Sequence, residues 1–440
     1  MNRYPSYRDS GIDWVGDIPG HWDVLKLKYA ARLTNEEPGD EQVGFQIALE
    51  NIESKTGRYL RTGSEYEGAG CGFRTGDVLF NKLRPYLSKV YEAPRDGVSV
   101  GELLVLRLER NVDSRFLFYR LLSEDFISVV DGSTYGAKMP RANWDFVGGL
   151  GIPIPPLDEQ RRLAAYLDRK TGEIDTLIRK KQALIALLRE QRTALIHRAV
   201  TKGLDPATPM KDSGFEWIGG IPRHWSAPKI KFMARVESGH TPSRKHPEYW
   251  EDCHLPWFTL GDVWQIRDER TTTVSQTKEM VSEVGLAHSS ARLLPAGTVI
   301  LSRTASVGFS GVLGVDMATS QDFVCWIAGP AIRPMFLLYV LRAMKGEFRR
   351  LLMGSTHKTI YMPDAYELVT PLPPVEEQDE IVARVERDAR RIDGIIDREM
   401  RSVDLLGELR ASLISEVVTG KIDVRSQMPA PDAYVQVVAA

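Results

Sequence analysis

Two stretches of the chain carry apolar residues at the spacing of a packed helix. In the first, Leu167, Ile174, Leu177, Leu184, Leu188 and Leu195 form a seam, widened by Ile178 and Ile185. The second repeats it 218 residues later with Val385, Ile392, Ile395, Leu406 and Leu413, flanked by Ile396 and Val403. Each run opens on Pro-Pro, at 155–156 and 373–374, and proline suits a first helical turn whose amide hydrogens have no partner. Asp158, Glu159, Glu376 and Glu377 follow, putting negative charge at the positive end of each helix dipole. Each predicted helix covers about 40 residues, roughly 60 Å at 1.5 Å per residue. Alone, such a helix would leave its seam wet, so the two seams bury each other, and the duplication favours an antiparallel coiled coil. Lys181 and Glu399 are equivalent polar seam positions near the helix centres. In an antiparallel pair of matched ends they meet and fix register more than they add stability.

Ahead of the helices the pattern shortens. Val78-Leu79-Phe80 and Val299-Ile300-Leu301 read as strands, behind Gly76-Asp77 and Gly297-Thr298. The surrounding blocks, about 23–150 and 226–369, look α/β with Gly-rich turns. The whole arrangement is written twice. Asp9-Ser10-Gly11-Ile12-Asp13-Trp14 through His21-Trp22 returns as Asp212-Ser213-Gly214-Phe215-Glu216-Trp217 through His224-Trp225. The four tryptophans read as packing anchors. Pro153-Ile154-Pro155-Pro156-Leu157-Asp158-Glu159-Gln160 returns as Pro371-Leu372-Pro373-Pro374-Val375-Glu376-Glu377-Gln378. Frame and helices match while the blocks diverge. The order is cyclic: the segment that starts the chain follows the first helix again. The fold class expected is α+β, with two α/β domains separated by two long helices in an antiparallel coiled coil of pseudo-twofold character. The division predicted is 1–150, 151–203, 204–369, 370–423 and a mobile tail at 424–440.

Composition is that of a globular protein, 43% hydrophobic and 26% charged, long enough for two or more domains. No apolar stretch approaches the roughly 20 residues of a membrane span, and the start lacks the pattern of a secretory leader, so a cytoplasmic protein is expected. Cys71, Cys253 and Cys325 form neither a disulfide framework nor a metal pair. A net charge of −2 is an average, and leaves a locally basic face open.

Candidate binding chemistry lies where strands end. Lys82, Arg84 and Tyr86 follow the strand of the first block, and Ser302, Arg303 and Thr304 that of the second. Cations and small hydroxyls delivered into a Gly- or Pro-containing loop suit phosphates and base edges; local salt bridges at Arg84 and Arg303 are the alternative. Near each block's end Gly-Ser-Thr recurs at 132–134 and 354–356, followed by Lys138 and Arg141 in one case and His357 and Lys358 in the other. Together with Ser355 these supply amide, hydroxyl and cationic donors, though Gly-Ser-Thr also serves as a turn and cap. The lysine directly follows His357 but stands after Gly136-Ala137 in the first block, so the two need not make equivalent contacts. Arg244-Lys245-His246-Pro247-Glu248-Tyr249-Trp250 mixes cations with aromatics and forms a further candidate loop of the second block.

No catalytic residue and no metal ligand set can be assigned. There is no GxxxxGK[ST] phosphate loop and no [DNS]PP[YFW] tetrapeptide of adenine methyltransferases, since the Pro-Pro pairs lead into Leu157 and Val375. His246-Pro247-Glu248 lacks the downstream PCxxC of a zinc deaminase, and His254 beside Cys253 lacks partners.

The frame DSGxxWxGxIPxHW, a variable block ending in Gly-Ser-Thr, then PxPPxxEQ and a long helix, all repeated, resembles the specificity subunits of Type I restriction–modification systems over residues 1–423. The resemblance implies two target-recognition domains, each reading one half of a split site on double-stranded DNA. It implies helices that set the spacer and dock two methyltransferase subunits, with restriction (translocase/endonuclease) subunits as further partners. It also implies that this chain is not itself an enzyme and binds no cofactor, S-adenosylmethionine being bound by the methyltransferase. The competing reading is a coiled-coil adaptor with two globular heads that does not bind DNA.

Overall fold

The computed structural model describes residues 3–39, 44–63, 70–136, 138–352 and 359–427. Most of the expected tail falls outside them. The chain forms two compact units, one of residues up to Lys181 together with those from Arg401 on, the other Gln182–Met400. Both cuts pass through a long helix, at Leu157–Lys202 and Val375–Val418.

In the first unit a central sheet holds β1 (Ala31–Thr34), β2 (Val78–Asn81), β3 (Val90–Glu92) and β4 (Leu103–Leu108). Their order is β1-β4-β2-β3, and every pairing is antiparallel. Alternate residues face opposite ways. Val78, Phe80, Leu104 and Leu106 enter one core with the helix Ser114–Leu122, while Leu79, Tyr91, Leu103 and Val105 enter a second core on the other face. Burial on both faces explains why β2 reads as an unbroken apolar run.

The second unit repeats this plan in different residues. Its sheet holds β5 (Ala234–Ser238), β6 (Val299–Ser302), β7 (Ser310–Leu313) and β8 (Phe323–Ala328), ordered β5-β8-β6-β7, with Thr273–Val274 added at the β7 edge. Val299, Leu301, Val324 and Trp326 face one core; Ile300, Leu313, Phe323 and Cys325 face the other. Two divergent sequences thus build one strand order.

Each frame motif grips a helix start. Glu159 accepts hydrogen bonds from Tyr4 Oη (2.7 Å) and Trp22 Nε1 (3.1 Å), and His21 Nε2 lies 2.7 Å from it. In the other unit Trp225 Nε1 donates to Glu377 at 3.0 Å, with His224 Nε2 at 2.9 Å. The neighbouring glutamines, both fully buried, tie the variable block to the same helix turn. Gln160 Oε1 accepts from Asp113 N (2.9 Å), and its Nε2 donates to the carbonyls of Asn111 (3.1 Å) and Pro155 (2.8 Å). Gln378 does the same with Arg333 N, Ala331 O and Pro373 O, at 2.8–2.9 Å. Burying these backbone groups without such partners would be costly, which is why Glu-Gln recurs.

The helix ends close the cycle. Tyr7 Oη donates to Gly420 O (3.1 Å), so the second helix terminates against the first frame. Gly420 has φ +73°, and a Cβ there would sit 2.3 Å from Pro19. Gly203, at φ +72°, ends the first helix beside Trp225 and Pro222.

Within each unit the two helix segments run antiparallel. Leu163 and Leu167 share a core with Leu413, Ile414 and Val417, and Ile196 and Val200 share one with Ile381 and Val385. The expected seam needs correction at its centre. Leu167, Val385, Ile392 and Leu413 are buried, and Ile174, Leu188, Leu195, Ile395 and Leu406 partly so, but Leu177 and Leu184 are exposed. Ile185, expected beside the seam, is buried, and so are Arg192 and Thr171, which were not expected there. A helix of 3.6 residues per turn drifts from a strict heptad, and polar side chains occupy part of the contact. Lys181 and Glu399 belong to different units and are half-buried.

Candidate nucleic-acid interface

In the first unit the strand-end loop and the Gly-Ser-Thr segment, far apart in sequence, come together. Asn81 closes the loop: its Nδ2 donates to the carbonyls of Leu83 and Arg84, and its Oδ1 accepts from Lys89 N. Arg84 sits in left-handed backbone at φ 51°, with its side chain exposed. The Arg84 amide donates to Pro140 O (2.8 Å) and the Ala142 amide to Lys82 O (2.9 Å), stitching the two segments. The result brings Lys82, Arg84 and Arg141 together on adjoining segments, with Lys138 exposed nearby in sequence, Tyr86 half-exposed and Tyr135 more so.

A residue not foreseen from sequence organises it. Glu102, just before β4, accepts from Arg141 NH2 at 2.8 Å and lies 3.5 Å from Lys82 Nζ. The hydrogen bond from Arg141, aided by the charges of Lys82 and Arg141, holds the Glu102 carboxyl below the usual glutamate range. Its contribution is therefore complete above an ordinary glutamate pKa of about 4.3 and lost as pH falls through the lowered value. Glu102→Gln is expected to destabilise the loop pair near neutrality. Wild type and variant should converge in acid, as read by denaturation across pH; a pH-independent difference would mean the carboxylate charge plays no part.

The second unit uses its equivalents differently. Ser302 is fully buried, its hydroxyl turned to Thr304 O. The Arg303 guanidinium donates to the carbonyls of Gln321 (2.9 Å) and Ile360 (3.3 Å), and Thr304 Oγ1 donates to Asp322. Arg303 thus pins its loop to two other segments through backbone carbonyls, an outcome that sequence could not show because both partners are remote. Ser355, His357 and Lys358 lie outside the described residues. In the further candidate loop, Arg244 pairs with Glu279 (3.0 Å) and lies over Trp250 (4.5 Å to the ring centroid). His246, Tyr249 and His288 stack successively, at 4.8 and 5.2 Å.

Two further arginines escaped sequence reasoning. Arg192 Nε lies 3.1 Å from Asp393 and Arg410 Nε 2.9 Å from Asp175, each pair joining the two long helices within one unit. The signal was present: Asp175 and Arg192 stand 218 residues before Asp393 and Arg410, the same offset that aligns the seams. No described helix is long and apolar enough to cross a membrane.

Two blocks of one strand order, each clamped to a long helix through a buried glutamine, define a duplicated scaffold. Residues 222–393 match the model of the Type I restriction modification DNA specificity domain. The chain is 24% identical over 363 residues to the Type I restriction enzyme MjaVIII specificity subunit of Methanocaldococcus jannaschii, covering 75% of this chain and 78% of that one. It is 22% identical over 436 residues to the putative MjaX specificity subunit of the same organism, covering 94% and 96%. Its fold matches a chain solved in work on complex assembly and conformational transition of the type I R-M system, with TM-score 0.74, 19% identity, and coverage of 92% and 99%. The chain is thus similar over most of its length to Type I restriction enzyme specificity subunits, and residues 222–393 match the model of a Type I DNA specificity domain.

Proposed function

We propose that this chain is the DNA-sequence-recognising subunit of a Type I restriction–modification complex. Each variable block reads one half of a bipartite site on double-stranded DNA, and the long helices set the spacer and dock two methyltransferase subunits. Methylation, with S-adenosylmethionine, and restriction belong to those partner subunits, so this chain performs no catalysis. The observation that carries the reading is the stitching of the segments of Lys82, Arg84 and Arg141 into one loop pair that also carries exposed Lys138, Tyr86 and Tyr135, on a scaffold built twice with divergent loops. Arginine and lysine side chains of this kind reach guanine O6 and N7 or phosphate oxygens, and divergent loops on equal scaffolds suit unequal half-sites.

The test is a gel shift with the full chain assembled with its methyltransferase subunits, on DNA carrying sites mapped from methylated adenines in the host genome. A preference over scrambled DNA of at least about a thousandfold is expected. Equal binding to all sequences, or none, sinks the proposal and returns the chain to the adaptor class.

A further inference from the structure

The same three-part contact occurs once in each unit. In the first, Arg410 of the second long helix, 7% exposed, pairs with Asp175 of the first and donates from NH1 to Lys55 O at 2.8 Å. In the second, Arg192 of the first helix, 8% exposed, pairs with Asp393 of the second and donates from NH2 to Glu269 O at 2.9 Å. Both carbonyls belong to residues in left-handed backbone, Lys55 at φ 64° and Glu269 at φ 58°. Non-glycine residues keep such backbone only where their surroundings hold it.

What lies beyond each carbonyl is the strand-end loop. Lys55 N donates to Ser88 O (2.9 Å), and Ser88 closes the loop that bears Lys82, Arg84 and Tyr86. In the second unit Arg342 donates to Glu269 O (2.5 Å) and Thr271 O (2.6 Å), and also to Ser310 O (3.3 Å), the residue that follows the loop of Arg303 and Thr304. The neighbouring Thr272 carbonyl accepts from Val312 N (2.8 Å). The first route runs from the helix pair through one guanidinium and one left-handed residue to the rim of the loop of Arg84, and the second adds the guanidinium of Arg342 before it reaches the loop of Arg303. A planar fork that satisfies a carboxylate and a carbonyl at once is chemistry lysine cannot reproduce.

We propose that Arg410 and Arg192 are positioning residues for sequence recognition, each holding the reading loop of its own block in register with the helix pair. The proposal rests on the DNA-recognition reading above. The experiment uses the full chain assembled with its methyltransferase subunits and a DNA panel in which each half-site is altered singly. Arg410→Met and Arg192→Met should each reduce discrimination at one half-site by about tenfold, on the order of one mismatched base pair. The two variants should lose it at opposite halves, each leaving the other half unchanged. Should either methionine variant fail to fold, Arg410→Lys and Arg192→Lys keep the charge toward aspartate but lose the fork, and should show the same opposite-half pattern more weakly. Full retention of both preferences, or equal weakening on every sequence, overturns the positioning role. Wild-type assemblies without any sequence preference would instead overturn the DNA-recognition reading itself.

Discussion

Trp22→Ala is expected to destabilise the chain by about 3–5 kcal/mol, the range for deleting a large buried aromatic. The indole is fully buried and meets the Tyr4 ring edge-on at 5.8 Å. It also donates to Glu159, the carboxylate at the start of the first long helix, so the substitution opens a cavity and removes a donor together. Trp225→Ala should cost a similar amount, because Trp225 is 1% exposed and donates to Glu377 in the same manner. Denaturant titration of each variant measures the effect. A loss below about 1 kcal/mol, the scale of an ordinary surface change, would mean the frame segments are not integral to the cores.

Arg342→Met is expected to cost about 3 kcal/mol while keeping the side-chain volume. Burial pushes the Arg342 guanidinium pKa down, and the nearby Glu269 charge only partly offsets this. The buried Nε has no acceptor among the described residues. Against that cost stand donations to three backbone carbonyls, Glu269, Thr271 and Ser310. Methionine removes the donors to Thr271 O and Ser310 O and leaves Glu269 O only its bond from Arg192, and each carbonyl left unsatisfied is worth roughly 1–3 kcal/mol. The loss should appear in denaturation and as faster amide hydrogen exchange around 269–272 and 310–312. Wild-type stability with unchanged exchange would show that water replaces the arginine at little cost.

Much of the fold is legible in the sequence. The helix boundaries follow from Pro-Pro and the acidic first turns, and the frame repeat anticipates the cyclic contact of Gly420 with Tyr7. The expected strands are those of β2 and β6. The exact helix contact is less visible, because a heptad template selects leucines and overlooks Arg192 and Arg410, whose burial depends on partners in another element. The shared strand order is hidden for a related reason. Either face of a buried strand accepts many apolar residues, so Val299, Ile300 and Leu301 can do the work of Val78, Leu79 and Phe80 while little else in the blocks agrees. The candidate interface is divided: Arg84, Tyr86 and Lys138 are surface residues, as their loop positions imply, whereas Ser302 is inside and Arg303 is bonded to carbonyls of residues 321 and 360. Long-range partners decided those two, and no local pattern encodes them.

The return of the second long helix to the first frame makes the order of the two blocks along the chain a matter of gene order more than of architecture. Gly420 and Lys421 already lie against Tyr7, while the stretch from Leu204 to Met210 joining the first helix to the second frame is largely exposed. A polypeptide opened within that stretch and joined instead between the Lys421 and Tyr7 regions would retain the clamps at Glu159, Gln160, Glu377 and Gln378. Circular permutation at this point is therefore an accessible evolutionary step, one that changes which block is synthesised first and leaves each block's own contacts in place.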